Sequence, residues 1–310
     1  MVNKKYTKPA LTVEQQVKFL ISQGLLIKDQ ELANHVLSTV SYYRFSSYLL
    51  PFKLSHENKS PRQFKHQATF EKVWQLYQFD QKLRILVSDA IEKIEIAFRA
   101  ALTNITSINF HPFWYVEKSY YKQAKHGSKK KNFFDDFLKT VKTISQNKQE
   151  LFIQHYHQNY NEPEFPPIWM MIEALSFGTC SKIYDHIQAK KIRNEIAAVL
   201  GQHTTLIESW IRSLAYTRNL CAHHSRLWNR WFVIPPLIPK DATIRSQLSF
   251  NGDYRFYLIA FIILQLLKKI APYSNWNDQL FTLFEKNDEF VNVEMGFQPN
   301  WRMDSIWNIS

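Results

Sequence analysis

Glycine and cysteine are both scarce in this chain of 310 residues, with six of the first and two of the second. So few glycines, together with 15% aromatic residues, suit long helices better than a sheet-rich fold, which needs many tight turns. Cys180 and Cys221 cannot build a disulfide framework, and a reducing compartment would keep both as thiols. Long apolar runs are missing as well. The longest, Phe256 to Leu267, is closed by Arg255 and Lys268 and falls far short of the ~20 residues a membrane span requires. It reads as a buried core helix. Met1 to Lys8 are polar and basic and lack the apolar core of a secretory signal, so the expected location is cytoplasmic, with no membrane partner. No phosphate-binding glycine loop, nucleophile elbow or dinucleotide fingerprint is present, which sets aside the familiar nucleotide enzymes and leaves no cofactor implied. Acidic residues are outnumbered 27 to 39 by lysine and arginine, for a net charge of +12 and a pI near 9.5. Such a balance favours a polyanionic partner, because each phosphate neutralised by Lys or Arg releases counterions.

What the chain does have is the stretch Arg218 to Arg230, which packs Arg218, Arg226, Arg230, Asn219, Asn229, His223 and His224 into thirteen residues. It follows an apolar-periodic run, Leu206, Ile207, Trp210, Ile211, Leu214 and Ala215, that reads as a helix. Continued at ~100° per residue, Arg218 falls almost on the side of Ile207, Ile211 and Leu214, so its guanidinium is expected to point inward or into a groove. His223 lies five residues on, ~140° around the axis, whereas Asn219 and His223 share a side. Either the helix bends or ends here, or Arg218 and His223 work together across an interface with a second copy. An imidazole titrates near neutrality and can move a proton from a ribose 2′-hydroxyl or to a leaving 5′-oxygen. An arginine can fork onto two phosphate oxygens and stabilise the charge that develops during phosphoryl transfer. That reaction needs no metal. A metal site from Cys221, His223 and His224 is the rival reading, but adjacent histidines point to different sides of a helix and no second Cys/His pair stands at zinc-like spacing. Cys221 is better explained as a packing residue than as a nucleophile. His224 could be a second imidazole or could orient His223. Arg226 and Arg230 suit phosphate contacts or structure.

Prolines divide the rest into helical stretches. A first helix is expected from Thr12, as N-cap with Gln15 completing a capping box, to Gln23, and a second from Asp29 to Thr39. Tyr42, Tyr43, Arg44 and Phe45 complete a small N-terminal module over residues 1–60, in which Arg44 and its aromatic neighbours could stack bases, although packing explains the aromatics more simply. Residues 61–310 form the main helical domain, opening with a helix from Thr69 to about Asn104. Asp80 interrupts its apolar stripe and needs a partner, for which Arg84 is four residues away; Glu95 and Arg99 form a second such pair. A basic loop insertion near 118–132 carries Lys122, Lys125, Lys129, Lys130 and Lys131, which could grip RNA backbone without reading sequence. Helices are also expected over Phe133 to Tyr160, Ile168 to Phe177, Asn194 to Leu200 and Asp253 to Ile270. Glu173, among apolar neighbours, is a candidate partner for Arg218.

An arginine beside a polar residue, with a histidine after a spacer of four, is also the motif of the HEPN ribonucleases. Longer blocks carry a wider likeness: Ser41 to Ser46, Leu76 to Asp80 with Leu83-Arg84, Ile91 to Arg99, Pro167 to Met170, Glu173 to Gly178, and Arg218 to Arg230 itself. From Lys8 to Trp301 the chain resembles the Abi-like abortive-infection family of the AbiD/AbiF type, whose members carry a HEPN-type helical core. The resemblance implies an all-α, HEPN-like bundle with RNA as substrate and a metal-independent endoribonuclease in anti-phage defence. In it His223 is the general acid/base, Arg218 holds the scissile phosphate, Asn219 positions one of them, and Glu95 and Arg99 shape the groove. It further implies a homodimer and a small non-coding RNA as regulator. Two other classes predict different behaviour: a catalytically inactive RNA-binding or phage-sensing module, and a structural polar cluster at a protein interface.

Overall fold

The computed structural model describes residues 7, 9–54, 63–123, 133–147, 150–241, 245, 248–249 and 252–307. Among these residues there are twelve α-helices and no strand; pairing is limited to isolated bridges such as Leu26 with Thr69 and Tyr121 with Ile187. The fold is all-α. Two compact units divide the chain, residues 1–83 and 84–310.

The first unit holds α1 (Val13–Ser22), α2 (Gln30–Val40) and α3 (Tyr42–Leu49). Thr12 and Gln15 form the reciprocal capping box expected of α1, and the Asp29 carboxylate caps α2 by accepting from Leu32 N at 2.9 Å. Tyr42 to Phe45 are themselves the start of α3. Phe45 is fully buried against Phe70, their ring centroids 4.8 Å apart, while Tyr43 is 90% exposed and Arg44 is exposed. The boundary between units lies further along than the expected 60/61, because the beginning of α4 (Phe70–Asn109) belongs with α1 to α3. Glu71 accepts from the backbone N–H of Lys28 and Asp29, and Tyr48 Oη donates to the Asp80 carboxylate at 2.6 Å. Asp80 is completely buried, so this charge-assisted bond compensates a carboxylate that would otherwise be costly.

α4 runs 40 residues, about 60 Å, and outlasts the expected end near Asn104 by a turn. In the second unit it is joined by α5 (Phe133–Gln146), α6 (Leu151–Asn159), α7 (Ile168–Ala174), α8 (Phe177–His186), α9 (Lys190–Val199), α10 (Thr204–Ala222), α11 (Phe256–Ile270) and α12 (Trp276–Glu285). The single helix expected over Phe133 to Tyr160 is two, and α7 stops at Ala174. Leu175 is extended there (ψ 147°), and Ser176 starts α8 by accepting from Thr179 N at 3.1 Å. Eleven of the fifteen residues of α11 are buried, so this helix is covered on all sides; its Phe261 meets Trp210 of α10 at 5.9 Å. No helix among the described residues is long and apolar enough to cross a membrane. An aromatic cluster of Tyr257, Phe284, Phe297, Trp301 and Trp307 gathers at the start of α11. Trp276 Nε1 donates to the Leu86 carbonyl at 2.9 Å, which ties α12 to α4. α10 packs against α8, α9 and α11, which fixes the place of its last turn.

Candidate active site at the end of helix α10

α10 buries Ile207, Trp210, Ile211, Leu214 and Ala215, and keeps Thr217 and Cys221 in the same buried set. Arg218 comes off the edge of that stripe and stays 37% exposed at its side chain. Its Nε lies 3.4 Å from Glu95 Oε2, and its Nη1 donates to Asn219 Oδ1 at 3.3 Å. Glu95 is therefore the carboxylate that Arg218 meets. Glu173, the partner expected from the sequence, is exposed on α7, and its charge acts on Arg99 and Cys180. The apolar neighbours of Glu173 flank it in sequence without covering it, since α7 is short and turns that side outward.

Glu95 and Arg99 are a close pair, as their spacing predicted. Arg99 Nε donates to Glu95 Oε1 at 3.0 Å and its Nη2 makes a second, shorter contact with the same oxygen, with both side chains nearly buried. The rest of the Arg99 guanidinium closes the α7/α8 junction by donating to the carbonyls of Ile172 and Leu175 and lying 3.4 Å from Cys180 Sγ. Burial opposes the charge on Arg99, while the hydrogen bond and the negative charge of Glu95 favour it. Burial also pushes the Cys180 thiol up to about 12, against the pull of Arg99, so it is a neutral packing group. Two guanidiniums thus share one close carboxylate. Arg99 is saturated, whereas the outer edge of Arg218 remains open to solvent with positive charge to spare, which suits a phosphate.

The helix ends where the motif does. His223 is the C-cap, its N–H on Asn219 O at 3.0 Å, so it remains on the last turn and sits about 140° around the axis from Arg218. His224 N bonds Cys221 O at 2.9 Å and Ser225 N bonds Leu220 O at 2.8 Å, the paired bonds of a Schellman stop. His224 occupies the position where that stop favours glycine and has φ 54°. Both imidazoles are exposed, and the His223 ring has no side-chain hydrogen bond among the described residues. Asn219 is exposed beside Arg218, and Cys221 is buried. Arg230 Nε donates to the Arg226 carbonyl at 2.6 Å, tightening the segment after the helix.

Of the expected backbone-gripping lysines, Lys125, Lys129, Lys130 and Lys131 lie outside the described residues. Lys122 is turned back on the protein: its Nζ donates to Asp185 O at 2.6 Å and stands 3.9 Å from Glu208, and burial followed by the charge of Arg193 lowers its pKa. Nothing in the spacing of Lys122 distinguishes it from its neighbours, because its partners come from α8 and α10. Cavities of about 630 Å³ between α5 and α6 and about 720 Å³ beside Gly201 and Leu237 lie away from Arg218, Glu95 and His223.

No curated protein and no solved structure matches the chain. The family model described as Abi-like protein matches residues 35–229, a span that takes in Arg44, the Glu95–Arg99 pair, Glu173 and the motif from Arg218 through Asn229. The chain belongs to the Abi-like protein family.

Proposed function

We propose that this protein is a metal-independent endoribonuclease of the HEPN type, acting in abortive-infection defence against phage. The observation that carries the reading is the Arg218 guanidinium, held by Glu95 and Asn219 yet open along one edge, on the same helical turn that His223 ends. In the reaction an imidazole takes the proton of a ribose 2′-hydroxyl, whose oxygen attacks the neighbouring phosphorus. The P–O5′ bond breaks, the leaving oxygen receives a proton, and the products carry 2′,3′-cyclic phosphate and 5′-hydroxyl ends. Arg218 forks onto the non-bridging oxygens as their charge grows. His223 is the acid/base; Asn219 steers Arg218.

The angle between Arg218 and His223 on one helix favours a homodimer in which each scissile phosphate draws on both copies. A toxin-like activity also requires restraint, and the charge of +12 supports a small non-coding RNA in that role.

RNA cleavage in EDTA by wild type and His223→Ala tests the proposal. Loss of cutting in a folded variant, with cyclic phosphate ends from the wild type, is the expected result. The unoriented His223 ring favours a second reading, an inactive RNA-binding or phage-sensing module. On that reading both proteins bind RNA equally and neither cuts.

A further inference from the structure

The segment that follows His223 presents two tryptophans with opposite fates. Trp228 is buried and its Nε1 donates to the Phe290 carbonyl at 2.8 Å, whereas Trp231 keeps 48% of its surface open. An exposed tryptophan is unremarkable when it hangs from a loose loop. Trp231 is held from several sides. The next residue, Phe232, donates its N–H to the Tyr254 carbonyl at 2.9 Å, and the Tyr254 ring stands edge-on to Trp231 at 5.9 Å and 88°. The Arg255 guanidinium carbon lies 5.3 Å from the Trp231 ring centre, and its Nη1 reaches back to Asn229 O and Oδ1 at 3.5 and 3.4 Å. Asn229 is in the left-handed region (φ 51°) and its side-chain amide is tied to Glu294. The indole is thus oriented before any ligand arrives, so binding on it costs little side-chain ordering.

Its neighbour in sequence supplies the complementary chemistry. Arg230 uses Nε on the Arg226 carbonyl, which leaves its two Nη groups, without partners among the described residues, for an anion. A fixed aromatic surface one residue along the chain from a cation matches the two parts of one nucleotide: a base to stack and a phosphate to pair. Every base has a π-face, but only an unpaired base can offer it.

We propose that Trp231, backed by Arg255, is the stacking platform for an unpaired base of an RNA whose backbone is gripped by Arg230. The polyanion's identity rests on the reading of the Arg218 site given above; the platform rests on the geometry of Trp231. Such a platform would favour an unpaired strand over duplex.

The test uses the full chain carrying His223→Ala, so that labelled RNA stays intact, and measures Kd for a single-stranded 12-mer and for the corresponding duplex over a salt series. Trp231→Ala is expected to weaken single-strand binding about 5- to 150-fold with the salt slope unchanged. Trp231→Phe should keep most of the affinity, and Trp231→Leu, which preserves apolar bulk without a π-face, should lose it. Duplex binding should stay the same. Unchanged single-strand affinity in Trp231→Ala and Trp231→Leu, or an equal loss on both RNAs, overturns the platform while leaving the nuclease reading in place. A parent protein that binds neither RNA overturns both.

Discussion

The Arg218 guanidinium reaches across 123 positions of sequence to lie 3.4 Å from Glu95, a carboxylate that Arg99 already engages from the same helix. One acid thus serves two bases, one buried and one facing the solvent, and the two should respond differently to substitution.

Glu95→Gln leaves Arg99 in a nearly buried position without its counter-charge and should cost about 3 kcal/mol of unfolding free energy. Arg218→Ala, at a side chain 37% exposed, should cost under about 1 kcal/mol. Urea denaturation measures both, and RNA cleavage should fall in each. A stable, active Glu95→Gln variant would remove Glu95 from any part in positioning Arg218.

His224 fills a left-handed stop position that glycine adopts without strain, so His224→Gly should stabilise the protein by about 1 kcal/mol. The same variant separates the two imidazoles. If His223 is the acid/base, cleavage by His224→Gly is retained; if it disappears while stability rises, His224 is the working ring.

Salt dependence distinguishes the lysines of the basic segment near 118–132 from one another. Replacing Lys129, Lys130 and Lys131 together by glutamine should lower the slope of log K against log salt by about 2 for single-stranded RNA. Lys122→Gln should leave the slope alone, because its ammonium is spent on Asp185 O and Glu208.

At alkaline pH the protein should lose stability steadily. Burial pushes Cys180 up to about 12 and also raises Tyr115, Tyr121, Tyr184 and Tyr257. Above about pH 9 the unfolded chain releases protons that the folded chain retains, so the unfolded state binds fewer and the unfolding free energy falls as pH rises from about 9 to 12. Denaturation midpoints across that range check the sign. Alkylation of Cys180 at neutral pH should require unfolding.

Elements built from local signals were legible in the sequence. The Thr12–Gln15 box, the Asp29 cap, the buried length of α11 and the Glu95–Arg99 pair all follow from spacings of a few residues. Partners distant in sequence were not. Asp80 was recognisable as a carboxylate in need of compensation, but the hydrogen bond it accepts from Tyr48, 32 residues back, is not visible to that kind of reasoning. Glu95 was assigned to Arg99 and Glu173 to Arg218 for the same cause: helix periodicity gives a residue's side but not which other helix faces it. The end of α10 beside the motif was one of two alternatives open in the sequence, but its left-handed residue was not legible because the usual glycine is absent; the break at Leu175 escaped because neither glycine nor proline marks it.

The sharing of Glu95 also orders the ways in which this protein can decay. A lineage that loses Arg218 keeps a neutral, closed Glu95–Arg99 pair and with it the finished end of α7, so the fold survives as an inert shell. A lineage that loses Glu95 first strands two cations and gives up structure together with chemistry. Silent descendants of this chain should therefore be found without Arg218 or His223 far more often than without Glu95 or Arg99.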